Sequence, residues 1–401
     1  MAQLGYQPAL STKRKARRKL FDRRLNSLPG SEPCLRPMDR GVLIALALLL
    51  MAGLVTLFSA SYYVFQDTDG GAFQKVKQQL AGIGVGAALM FMLSRIDYNL
   101  WRKTWVMVGL LAVSAILLAL VLVPGIGVSV NGSRRWLRFA GQSFQPSEFA
   151  KFAVVLFMAN MLTNSGEKIL RFFRGIIPPL IVPGIMFLLI LEQPNLSTAG
   201  SIIIVAVIMI YIAGAKFRHL GLLGALGAAV FAYYAWSEPY RRERLLSFRD
   251  PFAKMSDEGY QLSQSLIAFG SGGLFGMGLG QGRQKMAYLP YPESDFIFAV
   301  VGEDFGLVGC IVVVALYLAF IFAGMRVALN CQDKFGCLLA SGITMMIGIQ
   351  AFMNMGVVIG LLPTTGLPLP FFSAGGTSVM IFMAAIGILL NISRSNEMVV
   401  A

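Results

Sequence analysis

The sequence predicts an all-α membrane protein of about ten transmembrane helices, with a large extracellular loop between the seventh and eighth. Three observations lead there. Hydrophobic residues make up 56% of the chain and charged residues only 13%, where a soluble domain carries roughly 25% charged residues. The apolar residues gather into repeated runs of about 17 to 25, the length an α-helix needs to cross a hydrocarbon core about 30 Å thick. The runs are rich in Leu, Ala and Met and lack period-2 alternation, which excludes a transmembrane barrel. Lipid offers no partner to backbone N–H and C=O groups, so such runs must fold as helices.

In order, the runs fall at 41–64, 76–93, 104–123, 147–162, 176–191, 201–213, 220–236, 296–325, 337–361 and 378–392. The fourth opens on Pro146, which suits a first helical turn. The fifth and sixth are separated by Glu192-Gln-Pro-Asn-Leu-Ser-Thr198, where Pro194 breaks the helix and Asn195 or Ser197 can cap the next one. The sixth is short for a span. The segment 237–294 is by far the longest loop, and 362–378, rich in Pro and Gly, cannot be a plain helix. The chain thus divides into a basic arm (1–40), a membrane domain (41–393) and a short tail (394–401).

Lys and Arg set the orientation. The arm carries ten of them against Asp22, Glu32 and Asp39 and should stay in the cytoplasm. It is too long for a signal peptide, and no accompanying domain suits it to nucleic acid. Alternating from there, every inner loop is basic (Arg95, Arg102, Lys103; Lys168, Arg171, Arg174; Lys216, Arg218; Arg326, Lys334; Arg394), so both termini are expected inside. Two outer loops break the bias. One holds Arg134, Arg135 and Arg138; the other, 237–294, holds Arg241, Arg242, Arg244, Arg249, Lys254, Arg283 and Lys285. A negative ligand at the outer face would account for cations kept there.

Cys34, Cys310, Cys331 and Cys337 lie in the arm, in spans or in an inner loop, so no disulfide is expected. His219 is the only histidine and sits at an inner helix end, which excludes a His-based triad or zinc site. Acid–base chemistry therefore falls to Asp, Glu, Lys or Tyr.

Ionisable groups in or beside spans are costly and default to functional candidates. Glu148 and Lys151 share one face of the fourth helix near its outer end, either as a self-neutralising ion pair or as a cavity wall. Glu238-Pro-Tyr-Arg-Arg-Glu-Arg244 offers arginines that could grip a phosphate, or only a solvated charge cluster. Gly272, Gly273, Gly276, Gly278, Gly280 and Gly282 describe a re-entrant or closely packed loop; no strand precedes them, so they are not a nucleotide fingerprint. Asp295 stands at the outer mouth of the eighth helix after Pro290 and Pro292, where it is either a helix cap or a catalytic carboxylate. Glu303 and Asp304 follow inside that helix.

Taken together, Gln145-Pro-Ser-Glu-x-x-Lys151, Pro239-Tyr-Arg-x-x-Arg244, Gly259-Tyr-Gln, Asp295-Phe-Ile-Phe and Leu362-Pro-Thr-x-Gly366 resemble the SEDS family (shape, elongation, division and sporulation; FtsW, RodA, SpoVE) from about residue 38 to 392. Gln284-Lys285-x-x-Tyr288-Leu-Pro290 looks like the FtsW/SpoVE branch. The resemblance implies a peptidoglycan glycosyltransferase that polymerises lipid II at the outer face of the bacterial cytoplasmic membrane, in division or sporulation. It implies a class B penicillin-binding protein as partner, with other divisome or sporulation membrane proteins. It carries Asp295 over as the catalytic position. Glu148, Lys151, Arg241, Arg244, Arg134, Arg135, Gln193, Lys285 and Glu303 become substrate or cavity candidates. A divalent cation (Mg or Mn) at the pyrophosphate is a candidate cofactor. Three departures stand out: Asn195 where the family has Asp, Phe372-Ser-Ala374-Gly-Gly-Thr377-Ser378 for Ile-Ser-Tyr-Gly-Gly-Ser-Ser, and Asp304 for the second Glu of Gly-Glu-Glu. The alternatives are a lipid II flippase and a non-catalytic scaffold for the penicillin-binding protein.

The orientation is directly testable. A cysteine introduced at Ser256 should react with a membrane-impermeant thiol reagent in intact cells. Labelling only after lysis would invert the topology and move the site to the inner face.

Overall fold

The computed structural model describes residues 37–62, 73–130, 133–139, 142–193, 195–236, 248–253, 259–364 and 366–394. Most of the basic arm with Cys34, the arginines Arg241 and Arg244, and the tail from 395 onward lie outside them.

Each of the ten runs is a helix: α1 (Arg40–Ser61), α2 (Gln74–Arg95), α3 (Thr104–Leu122), α4 (Pro146–Thr163), α5 (Ile177–Leu191), α6 (Leu196–Ile212), α7 (Phe217–Trp236), α9 (Ile297–Asn330), α10 (Lys334–Val358) and α11 (Gly376–Arg394). Between α7 and α9 lies α8 (Tyr260–Gly272). Among the described residues, seven helices are long and apolar enough to cross a membrane; Leu196–Ile212 and Phe217–Val230 are apolar but shorter. The short sixth run is therefore a short helix in the fold as well.

Local chemistry sets the ends. Asp39 accepts from the Val42 N–H at 3.0 Å to start α1. Asn195 Oδ1 accepts from the Thr198 N–H at 3.3 Å to start α6, and Asp333 accepts from the Gly336 N–H at 3.2 Å to start α10. Each side chain satisfies a donor that the first helical turn leaves over.

Burial sorts the helices. The apolar windows of α10 and α11 are 78% and 72% buried, those of α2 and α3 only 17%. α4 is buried along nearly its whole length. The inner helices are also the ones that carry polar side chains: Glu148 and Lys151 on α4, Ser341, Thr344, Gln350 and Asn354 on α10. A helix shielded from lipid by its neighbours can hold such groups, and it reads as a weaker apolar run for the same reason.

Two features depart from a bare helical bundle. The segment between α3 and α4 folds as a three-stranded antiparallel meander: β1 (Gly127–Val130), β2 (Ser133–Phe139) and β3 (Gln142–Phe144). The large loop after α7 contains α8, whose Ser265 hydroxyl donates to the Val358 carbonyl at the C-terminal end of α10 (2.7 Å).

The glycine-rich stretch after α8 is the closely packed loop the sequence suggests. α9 is interrupted at Gly306 (φ 64°, ψ −160°). The groups freed by that break are met by the stretch itself. The Leu307 and Val308 N–H groups donate to the Gly273 and Leu274 carbonyls (2.9 and 3.1 Å), and the Met277 and Gly278 N–H groups donate to the Glu303 and Asp304 carbonyls (2.9 and 3.1 Å). At membrane depth a broken helix is stable only when its backbone is satisfied in this way.

Gly306 tests the arrangement. A Cβ there would run into the Leu274 and Gly276 backbone, on top of a positive φ. Gly306→Val should therefore cost on the order of 3 kcal/mol or more. At Gly84, where an added Cβ meets nothing within 4 Å, an Ala substitution should leave stability unchanged or slightly raised. Thermal unfolding in detergent distinguishes the two, and equal melting temperatures would dismiss the break as a constraint.

Candidate active site

The site is assembled from the N-terminal end of α4. Pro146 stands in the first turn of α4, after a Gln145 in extended conformation. One turn of spacing brings Lys151 Nζ to 2.7 Å from Glu148 Oε1, with the side chains 2% and 0% exposed. Lys151 also donates to Gln350 Oε1 on α10, and its ammonium lies 5.5 Å from the centre of the Phe382 ring on α11. Gln350 Nε2 donates onward to the Pro368 carbonyl (2.9 Å).

One turn along α10, Asn354 repeats the pattern. Its Nδ2 donates to the Asp295 carbonyl (2.7 Å) and the Leu367 carbonyl (2.6 Å). Gln350 and Asn354, four residues apart, therefore tie the ion pair, the loop 366–369 and the turn bearing Asp295 into one structure. The rest of that turn is equally constrained. The Ser373 hydroxyl donates to the Ser294 carbonyl (2.7 Å), the Ala374 N–H donates to the Glu293 carbonyl (2.8 Å), and the Ser294 hydroxyl donates to Asp295 Oδ1 (3.0 Å). Tyr291 adopts φ 52° and Phe371 φ 71°, conformations that side chains hold only where the surroundings impose them.

Asp295 precedes the cap of α9, which is Phe296, a residue with no side-chain acceptor. Its carboxylate instead lies against Gly366. A Cβ built on Gly366 would stand 3.1 Å from Asp295 Oδ2 and 3.3 Å from Arg135 Nη1. A carboxylate and a guanidinium thus approach the same glycine of the loop before α11. Arg135, on β2, is anchored by its Nε–H to the Gln193 carbonyl (3.2 Å), and Gln193 Nε2 donates to the Leu118 carbonyl (2.9 Å).

Among the described residues, several buried polar atoms of these elements have no hydrogen-bond partner: Glu148 Oε2, Gln193 Oε1, Asn195 Nδ2, Thr198 Oγ1, Glu293 Oε2 and Asn354 Oδ1. Native proteins rarely bury polar atoms that nothing engages. Four of these atoms, on Glu148, Asn195, Thr198 and Asn354, sit at the N-terminal ends of α4 and α6 and near the C-terminal end of α10.

The expected site residues thus separate into groups. Asp295, Glu148, Lys151, Arg135 and Gln193 are linked as described; Arg134, their neighbour on β2, is exposed. Arg241 and Arg244 lie outside the described residues. Lys285 and Glu303 are buried against a different set of partners. Lys285 is sealed against Ser59 and Asp304, and Glu303 accepts from the Gln284 and Lys285 N–H groups (2.8 and 3.4 Å). The resemblance offered both as substrate or cavity candidates; partners on other elements bury them. Asn195 keeps the capping acceptor an Asp would supply. Gln350, Asn354 and Glu293 escaped the sequence reading. For the two amides the signal was there: Gln350-Ala-Phe-Met-Asn354 puts them four apart in an apolar run.

Among the described residues no three His, Cys, Asp or Glu side chains cluster in a way that could hold a metal ion.

Comparison with known proteins agrees with this geometry. Residues 40–398 match a family of cell cycle proteins that covers FtsW, RodA and SpoVE. Stage V sporulation protein E of Bacillus subtilis is 42% identical over 360 residues, 89% of this chain and 97% of that protein. A probable peptidoglycan glycosyltransferase FtsW of Geobacter sulfurreducens is 41% identical, over 88% of this chain and 95% of that one. Among solved structures, a chain of a peptidoglycan synthase complex that coordinates polymerization and crosslinking aligns with a TM-score of 0.73 at 28% identity, covering 90% of this chain and 98% of that one. The rod shape determining protein RodA of Thermus thermophilus aligns with a TM-score of 0.66 at 27% identity, covering 90% and 97%.

The buried ion pair gives a thermodynamic test. Glu148→Gln leaves the Lys151 charge without its counterion and should cost about 3–5 kcal/mol, whereas Glu148→Leu combined with Lys151→Met should be close to neutral. Thermal unfolding of the single and double variants measures the coupling; additive effects would mean that the two charges do not act as a pair.

Proposed function

Because the chain belongs to the FtsW, RodA and SpoVE family of cell cycle proteins, we propose that it is a peptidoglycan glycosyltransferase, a multi-pass membrane enzyme that polymerises lipid II into glycan strands at the outer membrane face. The observation that carries this reading is the convergence of Asp295 Oδ2 and Arg135 Nη1 on the backbone of Gly366.

The reaction needs a base and a cation, and this pair supplies both. The 4-hydroxyl of one sugar attacks the anomeric carbon of the growing chain. As the new carbon–oxygen bond forms, Asp295 takes the hydroxyl proton. The bond from the anomeric carbon to the pyrophosphate oxygen breaks, and undecaprenyl pyrophosphate leaves with the electron pair. Arg135, planar and always charged, offers the leaving pyrophosphate a forked set of donors. Lys151 is enclosed by Glu148 and Gln350. Its part is to fix the α4–α10 frame from which Asn354 holds the Asp295 backbone. The polyprenyl tail stays in lipid alongside the bundle.

The partner in this reading is a class B penicillin-binding protein that crosslinks the strands, with both enzymes working at the division or sporulation septum. The structural relationship to a chain of a peptidoglycan synthase complex supports it. The basic inner loops support cytoplasmic termini.

Asp295→Asn is the decisive variant. Since Phe296 holds the cap position, the amide should leave the fold and partner binding intact. Loss of the proton acceptor should lower lipid II polymerisation by about 10²–10⁴-fold. The assay is strand synthesis by the purified protein with its partner. A wild-type rate would remove Asp295 from the mechanism; absence of strand synthesis by the unaltered protein with its partner would instead return the flippase and scaffold readings to the front.

A further inference from the structure

Lys285, Glu303 and Asp304 take no part in the chemistry above, yet each is only 1% exposed. Three distant segments meet there. Lys285, in the turn Gln284–Tyr288, donates from Nζ to Asp304 Oδ1 on α9 and to the Ser59 hydroxyl on α1 (2.7 Å). The Ser59 hydroxyl donates to Asp304 Oδ2 (2.5 Å), closing a three-membered ring. Glu303 grips the same turn through its backbone, accepting from the Gln284 and Lys285 N–H groups.

Stability is a poor explanation for such a ring. Burying an ion pair costs desolvation that its attraction seldom exceeds, and apolar side chains of similar volume commonly serve as well. What apolar packing does not supply is register, because its contacts tolerate sliding. A hydrogen-bonded ring fixes one residue against another.

The chain from Lys285 leads in ten residues to Asp295, through the positive-φ Tyr291. The far end of that segment is fastened by Ala374, Ser373 and Asn354. The near end is fastened by the ring. Asp295 and Asp304 also bracket the first part of α9, so the ring ties the segment to the helix that begins just after Asp295.

We infer that Lys285 is a positioning residue: its ring with Asp304 and Ser59 sets the register of the segment leading to Asp295, and so the place of the Asp295 carboxylate beside Gly366 and Arg135. This rests on the reading of Asp295 as the base. A displacement of about 1 Å at a reacting group can cost on the order of 10²-fold in rate, so a loosened ring should act on turnover far more than on substrate affinity.

The test compares kcat, KM for lipid II and melting temperature across variants of the full chain with its partner. In Lys285→Met combined with Asp304→Leu, apolar packing should restore the melting temperature. The kcat should nevertheless fall by about tenfold or more, a barrier change of about 1.4 kcal/mol, with KM little changed. Ser59→Ala keeps both charges and the fold and should lower kcat severalfold, while Ser59→Thr, which retains the hydroxyl, should recover it. Wild-type kcat in the folded double variant, or in Ser59→Ala should the double variant not fold, would overturn the inference. So would kcat losses that merely track melting temperature across the set. With Asp295→Asn inactive, that result removes the positioning role alone; wild-type kcat in Asp295→Asn removes its premise as well.

Discussion

Hydrocarbon accepts no hydrogen bonds, and every polar group this chain carries into the membrane must be answered from within the chain. That constraint organises the structure more than apolar packing does, since lipid tails are as apolar as the Leu and Ile side chains that face them. It explains why α4 and α10, which carry charges and amides, are enclosed while α2 and α3 stand at the edge. It also explains why Lys151 finds both a carboxylate and an amide, and why the Ser59 hydroxyl closes a ring rather than facing lipid.

The same constraint makes the break in α9 informative. A helix interrupted at Gly306 exposes amides and carbonyls that only another stretch of backbone can meet at close range. Glycine at 272, 276 and 306 permits the approach, since a Cβ at any of them would strike backbone across the contact. The outer loop is therefore part of the bundle. With its two ends anchored, one at Glu303 and Asp304 and the other at Asn354 and Ser373, it presents Asp295 from a fixed support. Catalytic groups on loops need such support, because orientation within a fraction of an ångström decides the rate.

The ion pair on α4, the amides on α10 and the turn before α9 then work as one frame. Gln350 and Asn354 face the same loop through Pro368 and Leu367, while β2 brings Arg135 over from the other side. Among the described residues, Glu148 Oε2 and Asn354 Oδ1 on this frame, and Glu293 Oε2 in the turn, have no hydrogen-bond partner. A polymerase of lipid-linked sugars has to place hydroxyls, an amide-bearing sugar and a pyrophosphate beside a hydrocarbon tail. A polar centre at one end of an otherwise apolar bundle meets that demand.

The sequence by itself determined the ten helices and their order, because length and hydropathy are local properties and lipid leaves helix as the only solution for such runs. It also identified the glycine stretch as closely packed and Asp295, Glu148 and Lys151 as residues of interest, since charge next to an apolar run is visible without a fold. It did not reveal α8 or the meander, whose short segments carry no strong apolar signal. Above all, it could not tell which polar residues meet. Lys151 bonds to Gln350, 199 positions away, and Ser59 to Asp304, 245 positions away. Lys285 and Arg135, both basic and both in outer loops, look alike in sequence; one is locked into a buried ring and the other reaches the Asp295 site. Partner choice for a buried charge depends on which helices pack side by side, and only the tertiary structure decides that.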